Sequence, residues 1–518
     1  MGYERKLMRN VSRVEPQKLG LAFVVACFVF SMAFVSVTKL VGLRLMNPIQ
    51  AIIVAKDSGN PQLSESKLKI DLKVQNNSLT QSESSNQQLE DIKDFKQPER
   101  KSNIDLKVQN NSLTQSNSSN QPLEGTKDFK QPDEINLQEI SKPLCDFSDK
   151  RSDVCEIQDQ VIVHGNSSSV YIMNPKLQES YTIKPHARKF DSTAMRRITN
   201  ISVKALSNYD DPFKCEVNHS IPAIIFSTGG FTGNMFHEFT DVIVPLFITS
   251  RKYHGEVQFL ISETRPWFFI KYKPYLKALS HYEIIDFNKE ERVHCYPNAV
   301  IGLKSHKEMS IDPLRSPNGY SMVDFAQTMR KAYSLKRKSA IKLKNSQSKK
   351  PRLLIIARKR TRSFKNIDEI VLMAKGLGYE VVVSEADVGL EKFSRIVNTC
   401  DVIMGVHGAG LTNIVFLPMN AIVIQIVPLG GLEGIAKLDF GTPALDMKLN
   451  YLQYSITEEE STLTEMYPRD HAVFKDLGSI QRQGWMAIRK IYLDQQNVSL
   501  DVNRFKGYLE QALQFLHQ

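Results

Sequence analysis

The chain has 518 residues, 42% hydrophobic and 24% charged, with a formal net charge of +11. Such a chain is long enough for two or three domains and too apolar on average to be disordered throughout. The positive charge is local: 15 Lys or Arg and no Asp or Glu stand between Arg330 and Lys365, and with no aromatic stripe beside them they argue against a nucleic-acid surface.

Residues 1–18 carry Arg5, Lys6, Arg9, Arg13 and Lys18 against Glu4 and Glu15. From Leu19 to Thr38, "LGLAFVVACFVFSMAFVSVT" runs for 20 residues without a charge, and Lys39 closes it. That length matches the hydrocarbon core of a bilayer at helical rise. The flanking cations point the N-terminus at the cytosol, and no small-residue cleavage site follows. The reading is a cytosolic tail (1–18) and a transmembrane signal anchor (19–38), with everything beyond it luminal. Residues 39–142 then form a stem rich in Ser, Asn, Gln, Lys and Glu. Within it, 70–98 recurs as 104–132, a period of 34 residues. Each copy has too few large apolar residues to bury a face, and two copies are too few for a solenoid. A disordered tether giving reach away from the membrane is the better reading.

Cys145 to Gln518 reads as the folded part. Its first half predicts a strand at "PAIIFST" (222–228) and a mostly helical run at "NMFHEFTDVIVPLFITSR" (234–251), with Pro245 inside it. Further strands are predicted at 256–262, 282–287 and 298–303. The segment "KRKSAIKLKNSQSKK" reads as a solvated linker helix. Beyond it come a strand (352–357), a helix ending on Gly (367–378), a strand (379–385) and a helix (390–399). A strand (401–406), a helix (409–417) and a strand (421–428) follow. Alternation of this kind predicts a parallel, doubly wound α/β sheet, and near-continuous apolar strands fit a sheet covered on both faces. The expected plan is an α/β domain over 143–335, a basic linker over 336–350, a second α/β domain over 351–480 and a helical tail over 481–518.

Sequons beyond the anchor occur at Asn76, Asn110, Asn117, Asn166, Asn200, Asn218 and Asn497, as suits a luminal glycoprotein. Cys27 lies in the apolar span, leaving five cysteines. Cys145 and Cys155 are close enough to close a small loop in an oxidising lumen. Cys215 with Cys295 is the next pairing, which leaves Cys400 as a thiol before a buried strand, more in keeping with inert core than with a nucleophile.

Two stretches carry chemistry. "ARKRTRSFKN" (357–366) directly follows a strand, and ligands of open α/β sheets bind beyond the carboxyl ends of strands. Arg358 and Arg362 there can pair a phosphate bidentately. "GVHGAGLTNIVFLP" (405–418) follows another strand and opens a helix. Free N–H groups at such a helix start attract phosphate, and His407 adds a donor. The plainer alternative is a glycine turn with a buried, satisfied histidine. The spacing fits neither a dinucleotide fingerprint nor a Walker loop.

"GVHGAGLTNIVFLP" together with "STGGFTGNMFHEFTDVIVPLF" (227–247) resembles glycosyltransferase family 61, which holds plant xylan arabinosyl- and xylosyltransferases, the N-glycan core xylosyltransferase and animal O-linked N-acetylglucosaminyltransferases. The resemblance runs from about Cys145 to the C-terminus, and "CDFSDKRSDVCEIQDQVIVHGNSSSVY" (145–171) looks most like the plant branch that decorates xylan. It implies a GT-B-like fold: two Rossmann-like domains facing a cleft, the acceptor on the side of the first and the UDP-sugar in the second. It implies inverting transfer of a pentose from UDP-xylose or UDP-arabinofuranose to xylan in the Golgi, by a type II membrane protein that can join other Golgi transferases. The folded region has no D-x-D, so basic residues and the helix start are expected to neutralise the diphosphate with no obligatory metal.

For the donor the candidates are Arg358, Arg362, His407, Gly408, Ala409 and Gly410. Asn413 is a further candidate, and Gln425 and Glu433 are candidates for the base or ribose end. Asn366 is expected to cap the helix after it. For proton transfer, His237 and Asp241 share a helix face while Glu238 turns away. Either the pair acts as base plus orienting carboxylate, with Asp241 ahead, or Asp241 is the base and His237 binds the sugar. A helix-cap network with a structural ion pair is the alternative there. For the tail, a plain packing helix and one that returns to the first domain both remain open. At the level of function, a catalytically silent scaffold and an N-glycan- or protein-directed transferase stand beside the xylan enzyme.

Overall fold

The computed structural model describes residues 144–173, 180–206, 214–345 and 349–518. The anchor, the stem with its repeat, Cys27 and the sequons at Asn76, Asn110 and Asn117 lie outside the described residues. The fold is mixed α/β with three sheets. The first is six-stranded, in the order Cys145–Asp146, Val154–Ile157, Ala299–Ile301, Ala223–Ser227, Gln258–Ser262, Ile285–Asp286. Its last four strands are parallel and its first two antiparallel. The third sheet has five parallel strands in the order Glu380–Glu385, Arg352–Ala357, Val402–Val406, Ile422–Val427, Asn450–Ser455. Its three inner strands are almost wholly buried, which is why they read as unbroken apolar runs.

The second, mixed sheet was not foreseen from the sequence. It orders Ser180–Ile183, Ile201–Ala205, Ser169–Ile172, Val161–His164, Val293–Tyr296 and Val217–Asn218. Most of these strands hold four residues or fewer, too short for an alternating pattern to stand out. Disulfides join Cys145 to Cys155 and Cys215 to Cys295, and Cys400 is a buried free thiol. Asn166, Asn200 and Asn218 are exposed, whereas Asn497 is half-buried and its side-chain oxygen accepts from Ser363 N at 3.0 Å.

The run through Pro245 is helical as expected, and three other local readings need correction. The helix through Pro245 is continuous, but it widens into a π turn at Phe239–Ile243 between Met235–Glu238 and Val244–Ser250. A proline lacks the N–H and crowds the preceding turn, and the wider turn relieves both. The segment read as a linker helix has one short turn at Leu343–Asn345, and its residues 337–341 are pinned to the second half. Arg337 reaches Asp401 at 2.5 Å and Ala340 N donates to Met419 O at 2.9 Å. The helix after Gly408 is a tight 3₁₀ run, Ala409–Phe416. The tail breaks after Arg489–Asp494 and resumes as Val502–His517, whose Phe505, Leu509, Ala512 and Leu516 pack with Leu353 and Ile355 of the second half.

One apolar core runs through both halves. Phe226, Phe239, Phe247 and Phe325 of the first share it with Ile356, Ile414 and Phe416 of the second. Tyr333 meets Phe416 edge-on at 5.4 Å, and buried Arg330 donates to Leu417 O at 3.0 Å. At about 1.5–3 kcal/mol for each large side chain fully buried, this seam holds the two halves at a fixed separation and so fixes the site between them.

Candidate active site

Asn234 starts the helix that carries the first functional face, its side-chain oxygen accepting from Phe236 N at 3.0 Å. One turn later His237 Nδ1 lies 3.2 Å from Asp241 Oδ2. The carboxylate accepts, so the proton sits on Nδ1 and the Nε2 lone pair is left for solvent or substrate. His237 is 22% exposed and Asp241 only 1%. Asp241 is locked from behind: Arg188 Nε donates to both its oxygens, at 2.9 and 2.8 Å. Arg188 also reaches Glu308 at 3.1 Å, which in turn accepts from Arg151 at 2.9 Å and Thr240 at 2.7 Å. Despite deep burial, Arg188 and His237 hold Asp241 well below the usual carboxylate range. Arg188 and Arg151 likewise pull Glu308 down to about 2 against its burial. Glu238 does turn away, into a buried pair with Lys271 at 2.5 Å and a hydrogen bond from Tyr272.

The second face is the turn after Val402–Val406. Gly408 has φ 143°, and a Cβ there would stand 2.6 Å from Arg362 Nη1 and 3.0 Å from Arg358 Nη1. Both guanidinium groups therefore crowd this glycine. Arg362 Nη1 donates to His407 O at 2.7 Å, Arg358 Nε to Thr361 O at 2.8 Å, and Arg362 Nε is buried without a partner. Neither arginine has a carboxylate within ion-pair distance among the described residues. Burial and the neighbouring Arg358 pull Arg362 down to about 9. Two cations left together without a counter-ion are a site for an anion.

His407 is fixed in one tautomer. Gln425 Nε2 donates to its Nδ1 at 2.8 Å, and Tyr451 OH holds the Gln425 oxygen at 2.8 Å. Burial and the two arginines push His407 down to about 3, so it is neutral with its proton on Nε2. That N–H faces Asp439, whose Oδ2 lies 4.0 Å away.

The faces meet. Asn413 Nδ2 contacts Met235 Sδ at 3.6 Å and bonds Gly410 O at 2.9 Å. Phe440 stacks edge-on to His407 at 5.7 Å and to Phe236 at 5.5 Å. The structure thus gathers Arg358, Arg362, His407, Gly408, Ala409, Gly410 and Asn413 at one turn, which meets the helix of His237 and Asp241 through Met235 and Phe236. Gln425 is fully buried behind His407, a support rather than a contact for the base or ribose. Glu433 is exposed at the start of a short helix. Asn366 heads its helix without a side-chain cap, its oxygen accepting from Leu500 N at 3.0 Å. The sequence reading did not find Arg151, Arg188, Glu308 or Asp439, which sit singly in unpatterned stretches.

A His–carboxylate pair and an arginine pair without a carboxylate in ion-pair distance, on neighbouring elements of an α/β fold, fit a group-transfer enzyme of the glycosyltransferase class. The chain belongs to glycosyltransferase family 61: the Glycosyltransferase 61 family model matches residues 235–424, which include both faces. It is 49% identical over 387 residues to the alpha-1,3-arabinosyltransferase XAT3 of Oryza sativa subsp. japonica, covering 74% of this chain and 67% of that one. It is 46% identical over 391 residues to the beta-1,2-xylosyltransferase XYXT1 of the same organism, covering 72% and 84%. It is 36% identical over 390 residues to the xylan glycosyltransferase MUCI21 of Arabidopsis thaliana, covering 71% and 78%. The chain spans about two thirds of the length of the arabinosyltransferases it matches.

Proposed function

We propose that this chain is an inverting transferase that moves a pentose from a UDP-sugar onto xylan. The observation that carries this reading is the His237–Asp241 pair on a helix that packs, through Met235, against the turn holding Arg358, Arg362 and Gly408. Its similarity to plant arabinosyl- and xylosyltransferases supports the pentose and the xylan acceptor. The two halves, one on each side of the cleft, fit a GT-B-like architecture.

His237 Nε2 takes the proton of the acceptor hydroxyl. The freed oxygen bonds to the anomeric carbon from the side opposite the leaving group, and the bond from that carbon to the phosphate oxygen breaks. Asp241 stays ionised, orients the imidazole and stabilises the imidazolium that forms. Its burial and its bonds from Arg188 support taking His237 as the base and Asp241 as the carboxylate that orients it, where the sequence put Asp241 slightly ahead. The charge released on UDP is taken up by Arg358, Arg362, the His407 Nε2–H and the backbone N–H groups after Gly408. These groups supply the positive charge without a metal ion. The expected setting is the Golgi membrane, with the anchor at 19–38 and a luminal catalytic part; the two disulfides support an oxidising compartment.

The test is transfer by the full chain in detergent, from UDP-pentoses and UDP-hexoses to xylo-oligosaccharides, with and without chelator. Single-pentose transfer is expected, unaffected by chelator and reduced about 100-fold or more in H237A and in D241N. Loss of transfer on chelation would assign the leaving-group charge to a metal. A folded protein that binds xylan but uses no donor would instead be a scaffold.

A further inference from the structure

Asp439 stands beside the Gly408 turn, within electrostatic reach of the groups that hold Asp241. On one side its Oδ2 is 4.0 Å from His407 Nε2, next to the Gly408 turn. On the other its electrostatic neighbours are Glu308, Arg188 and Arg151, the groups that hold Asp241 and through it His237. Phe440, the next residue, forms the wall that joins His407 to Phe236. Asp439 is 16% exposed and has no closer polar partner among the described residues. In a transfer reaction the anomeric carbon must lie between the departing phosphate and the base. With the diphosphate at the Gly408 turn, the part of a nucleotide sugar next to Asp439 would be its sugar ring.

We propose that Asp439 is a specificity-determining residue that hydrogen-bonds the hydroxyls of the donor's sugar ring. This rests on reading the site as that of a UDP-sugar transferase. Burial and the nearby Glu308 carboxylate raise the Asp439 carboxyl far above its ordinary range. That favours the protonated form, which can donate from one oxygen and accept at the other and does not repel the diphosphate. Pentoses that differ in ring form or in one stereocentre present different hydroxyls to it. The wrong one leaves a half-buried polar group unpaired, and that asymmetry gives a polar contact more discrimination than an apolar wall.

The experiment compares the full chain with D439A and D439N in detergent, after confirming that melting temperatures stay close to wild type. Affinities for UDP, UDP-xylose and UDP-arabinofuranose are measured by calorimetry, and kcat/KM with each donor on xylo-oligosaccharide. In D439A, UDP should bind within about twofold of wild type, while kcat/KM for the preferred donor falls about 10- to 100-fold and the preference between donors collapses. D439N has the same shape and can both donate and accept, so it should recover most of the loss. An equal fall in UDP affinity would overturn the proposal, because Asp439 would then be acting through His407. Unchanged kcat/KM and donor preference would overturn it as well. If wild type binds UDP-sugars but transfers nothing, the transferase reading fails separately. Asp439 is then judged on binding: the gain in affinity of a UDP-sugar over UDP must shrink in D439A, and a gain left intact refutes its role.

Discussion

Gly408 and the two arginines it touches form the part of the site with the sharpest single-residue consequences. The arginines lie close to each other with no carboxylate in ion-pair distance among the described residues, and burial together with Arg358 weakens the hold of Arg362 on its proton. Charge-assisted bonds of this kind contribute about 1.5–3 kcal/mol each. R362A should therefore weaken UDP about 10- to 100-fold by calorimetry. R362K should recover little of it, since an ammonium cannot reproduce a bond to His407 O and a second to phosphate in one plane. G408A tests the same place from the backbone. A methyl group 2.6 Å from Arg362 Nη1 must push the guanidinium aside, and φ 143° suits no side chain. UDP affinity should fall in G408A at least as far as in R362A; an affinity equal to wild type would remove the diphosphate from this turn.

Arg362 depends on an element that the sequence did not show. It sits at φ 54°, a left-handed conformation costing about 1–2 kcal/mol for a residue with a Cβ. The break in the tail holds it there. Gln496 O accepts from Arg362 N at 2.8 Å, Val498 N donates to Ser363 O at 2.9 Å, and Lys365 N donates to Val498 O at 2.7 Å. Gln496 is itself anchored, its oxygen accepting from Leu429 N at 2.9 Å. Q496L would leave that N–H buried without a partner, at a cost of about 1–3 kcal/mol. It should also weaken UDP although Gln496 faces away from the turn, whereas K490A, on an exposed part of the same tail, should change neither stability nor UDP affinity. Equal UDP affinity in Q496L and wild type would show that the loop holds its shape unaided. The sequence could not reveal this strap, because its apolar spacing is helical on both sides of the break. The inner strands of the five-stranded sheet, by contrast, were legible, since burial on both faces leaves runs such as "IVIQIV". The motif residues at 407–410 and 358–362 were legible for a different reason: glycine and arginine clusters are rare punctuation. Arg188, Glu308 and Asp439 were not, because folding alone brings them to the cleft from separate stretches.

For the whole molecule, the buried polar groups set a common direction with pH. Burial lowers His186, His219 and His294 below the ordinary histidine value, and brings His306 to about 4 and His407 to about 3. Each binds a proton more readily in the unfolded chain than in the fold, so each loses stability as pH falls below about 6.5. Asp241 and Glu308 act in the same direction further down, because both are held below their unfolded values by Arg188. Asp439 opposes them: its raised carboxyl keeps a proton that the unfolded chain has lost, so its contribution grows as pH falls toward the ordinary carboxylate range. Five histidines and two carboxylates against one acid leave the acid side net destabilising. The melting temperature of the full chain should therefore decline steadily from pH 7 to pH 4. H407Q removes a strongly depressed histidine, so its curve should be shallower over that interval, while D439N should make the decline steeper by removing the opposing group. Parallel curves for wild type and H407Q would mean that His407 takes up its proton within the fold. The arginine turn would then be open to water and could not hold an anion by desolvated charge.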